Sequence, residues 1–338
     1  MIYDNSIPMK ILVTGSEGFI GSHLTEELVK LGYDVRAFIM YNSFNSNGWL
    51  NTIPSEIKKK IDFFYGDIRD SELVKNATRN CNVIFHLAAL IGIPYSYIAS
   101  RSYIETNVIG TLNLLNAIKD TNIHKFIHTS TSEVYGTAQY IPIDEKHPLN
   151  AQSPYAASKT AADQLVLSYT KSFKIPSIII RPFNTFGPRQ SLRAIIPTII
   201  TQLIQNSDQI KLGSLTPTRD FTYIEDTVDA LILSLKSQFQ YSEIFNLGTG
   251  YEISIKSLAE LISKKMGKDT CVFDDDIRKR PINSEVERLI SNNEKAINEL
   301  SWNPKYVNEN GFNLALDKTI KWFKDNKNLI NYSSNYIR

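Results

Sequence analysis

Two groups of hydroxyl and ionisable side chains have the pattern of a proton-transfer site. Tyr155 and Lys159 are four residues apart at the start of a predicted helix, so both lie on one face of it. An ammonium group near a phenol stabilises the phenolate, which lets the tyrosine act as a base near neutral pH. One strand–helix unit earlier, residues 129–136 read TSTSEVYG after another predicted strand. Parallel sheets bind ligands at their carboxyl edge, so the sequence predicts an active site there.

A glycine-rich turn near the start of the chain predicts a dinucleotide site. Gly15, Gly18 and Gly21 have the spacing G-x-x-G-x-x-G between a predicted strand, 10–13, and a predicted helix, 19–31. Glycines at this spacing permit a sharp turn, a close approach of backbone N–H groups to a pyrophosphate, and close packing of helix on strand. The N-terminus of the helix adds partial positive charge, which favours the bound phosphates.

The residue that binds the adenosine ribose is harder to assign. A carboxylate at the end of the second strand ordinarily accepts hydrogen bonds from the ribose, but Tyr41 and Asn42 stand at that place here. Residues 40–50 contain no Arg or Lys to pair with a 2′-phosphate. We therefore expect NAD, with NADP as the open alternative. Asp67, after the third strand, either accepts a hydrogen bond from the adenine amino group or caps the next helix.

The elements that position these residues alternate regularly. Strands are predicted at 10–13, 34–40, 62–65, 82–86, 125–128 and 177–180, with helices at 19–31, 71–80, 103–119 and 154–173. This order predicts an α/β fold with a doubly wound parallel sheet of Rossmann type. Beyond residue 186 the alternation breaks, and we expect a helix at 195–205, a helix capped by Asp226, and a strand at 243–246.

These elements predict two domains with loose ends. The dinucleotide-binding domain comprises residues 10–185 and 222–250. A smaller α/β substrate-binding domain comprises 186–221 and 251–325, and the termini, 1–9 and 326–338, are expected to be loose.

Composition narrows the class of protein. The chain has 338 residues, 42% of them hydrophobic and 21% charged, which excludes a wholly disordered chain. A net charge of +2 argues against a general nucleic-acid binder. Neither a long apolar run nor a signal-peptide pattern is present, so we expect no membrane partner and a cytoplasmic location. Cys81 and Cys271 are expected to be two buried thiols, and no spacing predicts a metal site.

Five motifs together resemble one enzyme family. They are the glycine turn, HLAA at 86–89, TSEVYG at 131–136, SPYAASK at 153–159 and RPFN at 181–184. The set resembles the extended short-chain dehydrogenase/reductase family, whose members act on nucleotide sugars, from about residue 10 to residue 324. The resemblance implies that Thr131 shares a hydrogen bond with the sugar 4-hydroxyl, that Tyr155 takes its proton, and that Lys159 also holds the nicotinamide ribose.

The resemblance implies a homodimer that forms through helices 103–119 and 154–171.

The resemblance also completes the expected cofactor site. Asn107 resembles the buried helix asparagine that organises the lysine. The expected cofactor residues are Gly15, Gly18, Phe19, Ile20, Gly21, Tyr41, Asn42, Asp67, Ile68, Leu87, Ala88, Ala89, Asn107, Tyr155 and Lys159.

Glu133 favours a dehydratase over a plain 4-epimerase. A carboxylate two residues after Thr131 suits removal of the C5 proton once C4 is a ketone, and sugar 4,6-dehydratases carry such a glutamate. They usually have Asp before it, where this chain has Ser132. UDP-glucuronate decarboxylation and C4 epimerisation remain the enzymatic alternatives. A redox-sensing dinucleotide-binding regulator is the non-enzyme alternative.

The substrate-side segments look like those of the N-acetylglucosamine-nucleotide 4,6-dehydratases of legionaminic-acid biosynthesis. They are YNSFNS at 41–46, RQSLRAIIP at 189–197, TPTRDF at 216–221 and RPINSEVERL at 280–289. Guanidinium groups pair bidentately with a diphosphate. The expected substrate residues are Asn184, Ile195, Arg219, Arg280 and Glu285. The predicted reaction converts UDP- or GDP-N-acetylglucosamine to the 4-keto-6-deoxy sugar.

Overall fold

The computed structural model describes residues 9–205, 209–239 and 242–327. The predicted loose termini lie almost wholly outside these ranges. The strands are β1 (Lys10–Thr14), β2 (Asp34–Met40), β3 (Ile61–Gly66), β4 (Val83–His86), β5 (Lys125–Thr129), β6 (Ser177–Pro182), β7 (Asn184–Phe186), β8 (Gln209–Leu212), β9 (Thr218–Tyr223), β10 (Glu243–Leu247), β11 (Glu252–Ser254), β12 (Cys271–Asp274) and β13 (Arg288–Leu289).

Helices fill most of the connections between these strands. They are α1 (Phe19–Lys30), α2 (Ser55–Lys58), α3 (Ser71–Thr78), α4 (Ile93–Ser96), α5 (Ser100–Tyr103), α6 (Gly110–Ile118), α7 (Pro154–Phe173), α8 (Ile195–Ile204), α9 (Ile224–Lys236), α10 (Ile255–Lys265), α11 (Glu294–Leu300) and α12 (Asn308–Asp325). No helix in the described ranges is long and apolar enough to cross a membrane.

Seven parallel strands form the central sheet in the order β10-β6-β5-β4-β1-β2-β3. The chain builds β1 to β3 outward on one side and returns to place β4 against the other side of β1. The strand order therefore reverses between β1 and β4, which makes this point of the carboxyl edge a ligand crevice. The arrangement confirms the predicted doubly wound α/β fold.

The two faces of the sheet carry separate apolar cores because side chains alternate along each strand. Ile11 and Val13 of β1 pack in one core with residues of α1 and α9. Leu12, between them, packs in the other core with residues of α3, α6 and α7. Burial on both faces explains why these strands read as continuous apolar runs in the sequence.

Short strands form the remaining sheets. β9 pairs with β7, β11 and β13, and β8 pairs with β12. Helices α8 and α10 pack near them, and their apolar residues join the core on the α1 face. The predicted boundaries of the two domains stay a prediction.

Two local expectations, the Asp226 cap and the burial of both cysteines, were wrong, and the helix predicted at 103–119 is present with one irregular segment. Helix α9 begins at Ile224, and Asp226 does not cap it; instead its carboxylate accepts hydrogen bonds from the backbone N–H groups of Lys305 and Tyr306, at 2.8 and 2.9 Å. The predicted helix 103–119 contains a π-helical segment at 104–109. Cys271 is exposed at the start of an edge strand and Cys81 is only half-buried, although both are free thiols.

Candidate functional site

The glycine turn lies against the loop after β4, where the strand order reverses. Gly15 has φ +71°, and a Cβ there would lie 2.8 Å from the backbone nitrogen of Ala88. A Cβ on Gly21 would lie 2.1 Å from the carbonyl oxygen of Gly15. Only glycine fits either position. No side chain caps the N-terminus of α1, which begins at Phe19 and Ile20, so the start of this helix faces the crevice without a competing acceptor.

The HLAA motif forms the opposite wall of the turn. Thr14 Oγ1 accepts hydrogen bonds from the backbone N–H groups of Leu87 and Ala88, both at 3.1 Å. His86 is fully buried and bridges Thr14 and Thr111 at 2.9 Å on each ring nitrogen, which is a structural role. Leu87, Ala88 and the adjoining Ala89, which the sequence predicts as cofactor-binding residues, therefore lie beside the glycine turn.

The residues predicted to bind the ribose and the adenine lie in the loops that follow β2 and β3. Tyr41 is 72% exposed. Asn42 is committed to its own loop, because its side chain bonds the backbone of Phe44 and Ser46. Asp67 forms an ion pair with Arg69 that lowers the pKa of the Asp67 carboxyl.

Two further details concern the segment after β3. Asp70, not Asp67, caps α3, since its Oδ1 accepts from the N–H groups of Glu72 and Leu73 at 3.0 Å. Ile68 is buried beneath Gly110, where a Cβ would lie 2.9 Å from Cγ2 of Ile68. The alternative that Asp67 caps the helix was therefore wrong.

Thr131, Tyr155 and Lys159 meet at the ends of β5 and α7. Ser153 caps α7, and Pro154 opens it, which places Tyr155 in the first turn. The Tyr155 phenol lies close enough to the Thr131 side chain for Thr131 to act on its pKa. Lys159 Nζ donates to the backbone oxygen of Thr129 at 2.8 Å and lies 3.4 Å from Nε2 of His128. The sequence thus brings its three predicted proton-transfer residues to one place.

Burial dominates the pKa of both ionisable groups in this helix. It lowers the pKa of Lys159 to about 8. It also raises the pKa of Tyr155 above the usual phenol range, and the interaction with Thr131 opposes this only in part. The Lys159 ammonium donates to the backbone oxygen of Thr129, and its predicted action on the Tyr155 phenol stays a prediction.

Asn107 lies in the π-helical segment and joins two parts of the site. Its side-chain oxygen accepts from the N–H of Leu90 at 2.8 Å, and its amide donates to Leu90 O and Ser158 Oγ, both at 2.9 Å. Among the described contacts it therefore reaches the neighbour of Lys159 and not the lysine itself. The segment's wider turn is typical of functional positions in helices.

Four charged side chains form a cluster that includes Glu133, which acts on the pKa of Tyr155. Glu133 is buried, its side chain 9% exposed, and Nη1 of Arg280 lies 3.5 Å from its Oε2. Glu285 Oε1 lies 3.6 Å from Arg219 and 3.8 Å from Arg280, and Ser214 donates to its other oxygen at 3.0 Å. We call Glu133, Arg219, Arg280 and Glu285 the charged cluster. Nη1 of Arg280 is buried without a hydrogen-bond partner, so it has donor capacity left for a ligand.

A cavity of about 440 Å³ opens beside this cluster, lined by Pro94, Tyr97, Ile98 and residues 276–282.

The remaining predicted site residues lie in nearby elements. Ser132 is buried in the short helical turn 132–135, which Thr131 caps through a 3.2 Å bond from the N–H of Glu133. Asn184 begins β7 and Ile195 begins α8, both half-buried. Within the described residues no three His, Cys, Asp or Glu side chains are grouped as metal ligands.

A buried network beneath Lys159 escaped the sequence analysis. Arg181 donates to Oδ2 of Asp163 at 2.9 and 3.1 Å, and to the Tyr135 hydroxyl at 2.9 Å. Tyr135 in turn donates to Asn246 at 2.7 Å. The signal was available, since Asp163 follows Tyr155 and Lys159 at helical spacing.

Comparisons with known proteins agree on one family. The sequence profile described as GDP-mannose 4,6 dehydratase matches residues 12–314. A dTDP-D-glucose 4,6-dehydratase of Homo sapiens is 34% identical over 325 residues, covering 94% of this chain and 90% of that protein. A putative UDP-glucose 4-epimerase of Methanocaldococcus jannaschii is 31% identical over 322 residues, covering 94% of this chain and 99% of that protein.

Solved structures lead to the same group of enzymes. A dTDP-glucose 4,6-dehydratase of Streptomyces venezuelae with NAD bound has a TM-score of 0.87 and 28% identity, covering 96% of this chain and 99% of that one. A UDP-glucuronic acid 4-epimerase of Bacillus cereus, in complex with UDP-glucuronic acid and NAD, has a TM-score of 0.83 and 29% identity, covering 94% and 99%.

Removing the charge of Asp163 tests whether the buried network holds the site together. Asp163→Asn leaves the Arg181 cation buried without its ion partner, so we expect the free energy of unfolding to fall by about 3–5 kcal/mol. Urea unfolding measures it. Asp325→Asn, which breaks an exposed pair with Lys321, is the matched control and should change it by less than about 1 kcal/mol. Equal effects of the two variants would contradict the role given to the network.

Proposed function

The chain belongs to the GDP-mannose 4,6 dehydratase family of nucleotide-sugar enzymes, and from that premise we propose that it is an NAD-dependent nucleotide-sugar 4,6-dehydratase. The observation that carries dehydration is Glu133. Its carboxylate is buried two residues past Thr131 and close enough to Tyr155 to act on the pKa of the phenol. A plain 4-epimerase needs no carboxylate at this place, whereas elimination across C5 and C6 needs a base there.

The crevice fits a dinucleotide by its own geometry. The glycine positions leave no room for a Cβ, and the start of α1 is uncapped. When bound, NAD supplies the acceptor for hydride from C4 and the donor that returns hydride to C6. We propose that the cofactor residues named from the sequence hold it, with Lys159 near the nicotinamide ribose. NAD in two of the similar structures supports this choice over NADP.

Tyr155 is the proposed base for the sugar 4-hydroxyl, with Thr131 orienting that hydroxyl. The phenol and the Thr131 hydroxyl lie near each other, so a sugar hydroxyl bound beside both would find a donor and an acceptor. The raised pKa of Tyr155 means that the protein alone does not ionise it. Lys159 supplies a positive charge on the same face of α7 as Tyr155, and its ammonium group donates to the backbone oxygen of Thr129.

Glu133 is the proposed base at C5. It takes the C5 proton from the 4-keto sugar and, as a neutral acid, gives a proton to the departing 6-hydroxyl, which leaves as water. Ser132 is too weak an acid to replace it, but its hydroxyl can hold a water molecule between Glu133 and the leaving group. Arg280, 3.5 Å from Glu133, provides a cation beside the carboxylate.

We assign the nucleotide diphosphate to Arg219 and Arg280, with Glu285 accepting from the nucleotide ribose and with Asn184 and Ile195 on the substrate side. The substrate is UDP- or GDP-N-acetylglucosamine, a choice that the segments at 41–46, 189–197 and 280–289 support by their likeness to enzymes of legionaminic-acid biosynthesis. The proposal includes a homodimer through helices 103–119 and 154–171, to which the exposed apolar side chains Ile104 and Ile109 would contribute buried area.

C4 epimerisation is the second candidate, favoured by Ser132 in place of an acid and by the similar 4-epimerases. Incubation with a panel of UDP- and GDP-hexoses, followed by proton NMR, separates the two. A dehydratase gives a 6-methyl doublet from a 4-keto-6-deoxy sugar. An epimerase keeps the 6-hydroxymethyl group and inverts C4, and a decarboxylase gives a pentose from UDP-glucuronate.

Tyr155→Phe keeps the aromatic ring and removes the base. We expect turnover to fall by about 10²–10⁴, while NAD and nucleotide-sugar binding remain. Steady-state rates and isothermal titration calorimetry measure the two effects. Tyr169→Phe, on the same helix, is the control and should keep the parent rate. Near-parent turnover of Tyr155→Phe would reject its assignment.

The pKa of about 8 for Lys159 predicts a feature of the pH profile. Its ammonium is charged below that pH and neutral above it, so kcat/KM of the parent enzyme should fall as pH rises through about 8. Lys159→Met has no group to titrate and should lose that limb, with a lower rate throughout. Lys171→Met, an exposed position on the same helix, should retain it. Identical profiles for Lys159→Met and the parent enzyme would contradict the assignment.

Glu133→Gln separates the two halves of the reaction. Oxidation at C4 does not need this carboxylate, but elimination does, so the variant should form no 4-keto-6-deoxy product and take up no solvent deuterium at C5. A slow rise of reduced-cofactor absorbance should survive. Ser132→Ala, the comparison variant, should be milder because water can fill the space. Parent-rate C5 exchange in Glu133→Gln would show that another base acts.

A further inference from the structure

We propose that Glu17, in the glycine turn, binds the adenosine ribose 2′-hydroxyl and selects NAD over NADP. This inference rests on the proposed use of a nicotinamide dinucleotide but not on dehydration. It answers the question that the end of β2 leaves open, because that strand ends at Met40 without the carboxylate that ordinarily binds the ribose.

The Glu17 side chain crosses from the turn to the end of β2. Its Oε1 accepts a hydrogen bond from the backbone N–H of Met40 at 3.0 Å. Gly15 N also donates to Phe38 O at 3.2 Å, so the turn and the strand end are joined twice. A carboxylate supplied by the turn thus stands beside the strand position where one is missing.

The second carboxylate oxygen of Glu17 is free to accept. Oε2 is buried and has no hydrogen-bond partner among the described residues. Burial raises the pKa of this carboxyl above its usual value. A buried acceptor without a donor is unfavourable, so a ligand that supplies a donor gains by bonding it. Ribose hydroxyls are donors of the required kind, and the bonds they donate would stabilise the carboxylate form.

The segment after β2 is built around Glu17. Gly48 has φ +54°, and a Cβ there would lie 2.9 Å from Cβ of Glu17. Trp49 N donates to Glu17 O at 3.0 Å. The loop therefore folds back onto the turn and holds this residue in place. Tyr41 and Asn42, the residues at the expected position, are exposed or occupied by loop contacts.

The negative charge of the Glu17 carboxylate accounts for the proposed preference for NAD over NADP. A carboxylate accepts from a 2′-hydroxyl but repels a 2′-phosphate, and residues 40–50 carry no Arg or Lys that would offset the repulsion. One hydrogen bond to a charged group contributes about 1.5–3 kcal/mol, which corresponds to about 10- to 150-fold in affinity. NAD should therefore bind at least about tenfold more tightly than NADP.

Calorimetric titration of the protein, freed of co-purified nucleotide, with NAD, NADP and NAD lacking the adenosine 2′-hydroxyl tests the proposal. Glu17→Gln keeps an oxygen for Met40 N–H but loses the charge. We expect its NAD affinity to fall about 10- to 150-fold while its NADP affinity is unchanged or higher. Binding of the deoxy analogue should change by less than about threefold. Glu27→Gln, on α1 with its side chain 41% exposed, should match the parent protein with all three ligands.

The outcomes separate the possible failures. If Glu17→Gln weakens NAD, NADP and the analogue equally, Glu17 only supports the turn and the proposal is wrong. Parent protein that binds NADP as well as NAD, or the analogue as well as NAD, also overturns it without any variant. Absence of dinucleotide binding rejects the cofactor assignment as well. Because no turnover is measured, a failed dehydratase assignment leaves this result unaffected.

Discussion

The ion pair between Arg181 and Asp163 is the contact on which the position of the candidate active site depends. It joins the end of β6 to the middle of α7, the helix that carries Tyr155 and Lys159. Both partners are buried, so each charge has lost its water and depends on the other and on the hydrogen bonds of Tyr135 and Asn246. Two guanidinium nitrogens donate to one oxygen of Asp163, and these bonds restrict how α7 can rotate or slide on the sheet.

A second constraint acts at the glycine turn. Three segments meet there with no room for a Cβ at Gly15 or Gly21: the turn itself, the start of α1, and the loop after β4. Such close packing leaves backbone N–H groups as the lining of the crevice, which suits the phosphates of a dinucleotide. The same packing restricts where a side chain can enter. The Glu17 side chain extends toward the end of β2. This direction makes its carboxylate available to the adenosine ribose in the proposed complex.

The sequence predicted those features of the fold and the site that depend on local residue patterns. The buried strands of the central sheet, the glycine turn and the pair Tyr155–Lys159 follow from periodicity and spacing, and the structure contains them. Asp226 shows the limit: its side chain had the form of a helix cap, but its partners lie at residues 305–306. The short strands β7 to β9 and β11 to β13 were also missed, because each exists through pairing with distant strands. Glu17 was overlooked since its contact at Met40 depends on the folded turn.

Charge balance in the cluster of Glu133, Arg219, Arg280 and Glu285 links substrate binding to chemistry. Two guanidinium groups and two carboxylates share this site without substrate, and Arg280 contacts both acids at 3.5 and 3.8 Å without hydrogen-bond alignment to either. In the proposed complex a diphosphate brings negative charge that pairs more strongly with a guanidinium than these loose contacts do. In that complex the guanidinium groups proposed to hold the nucleotide and the carboxylate proposed to act at C5 belong to one cluster. Binding of the diphosphate and removal of the C5 proton would therefore depend on the same four side chains.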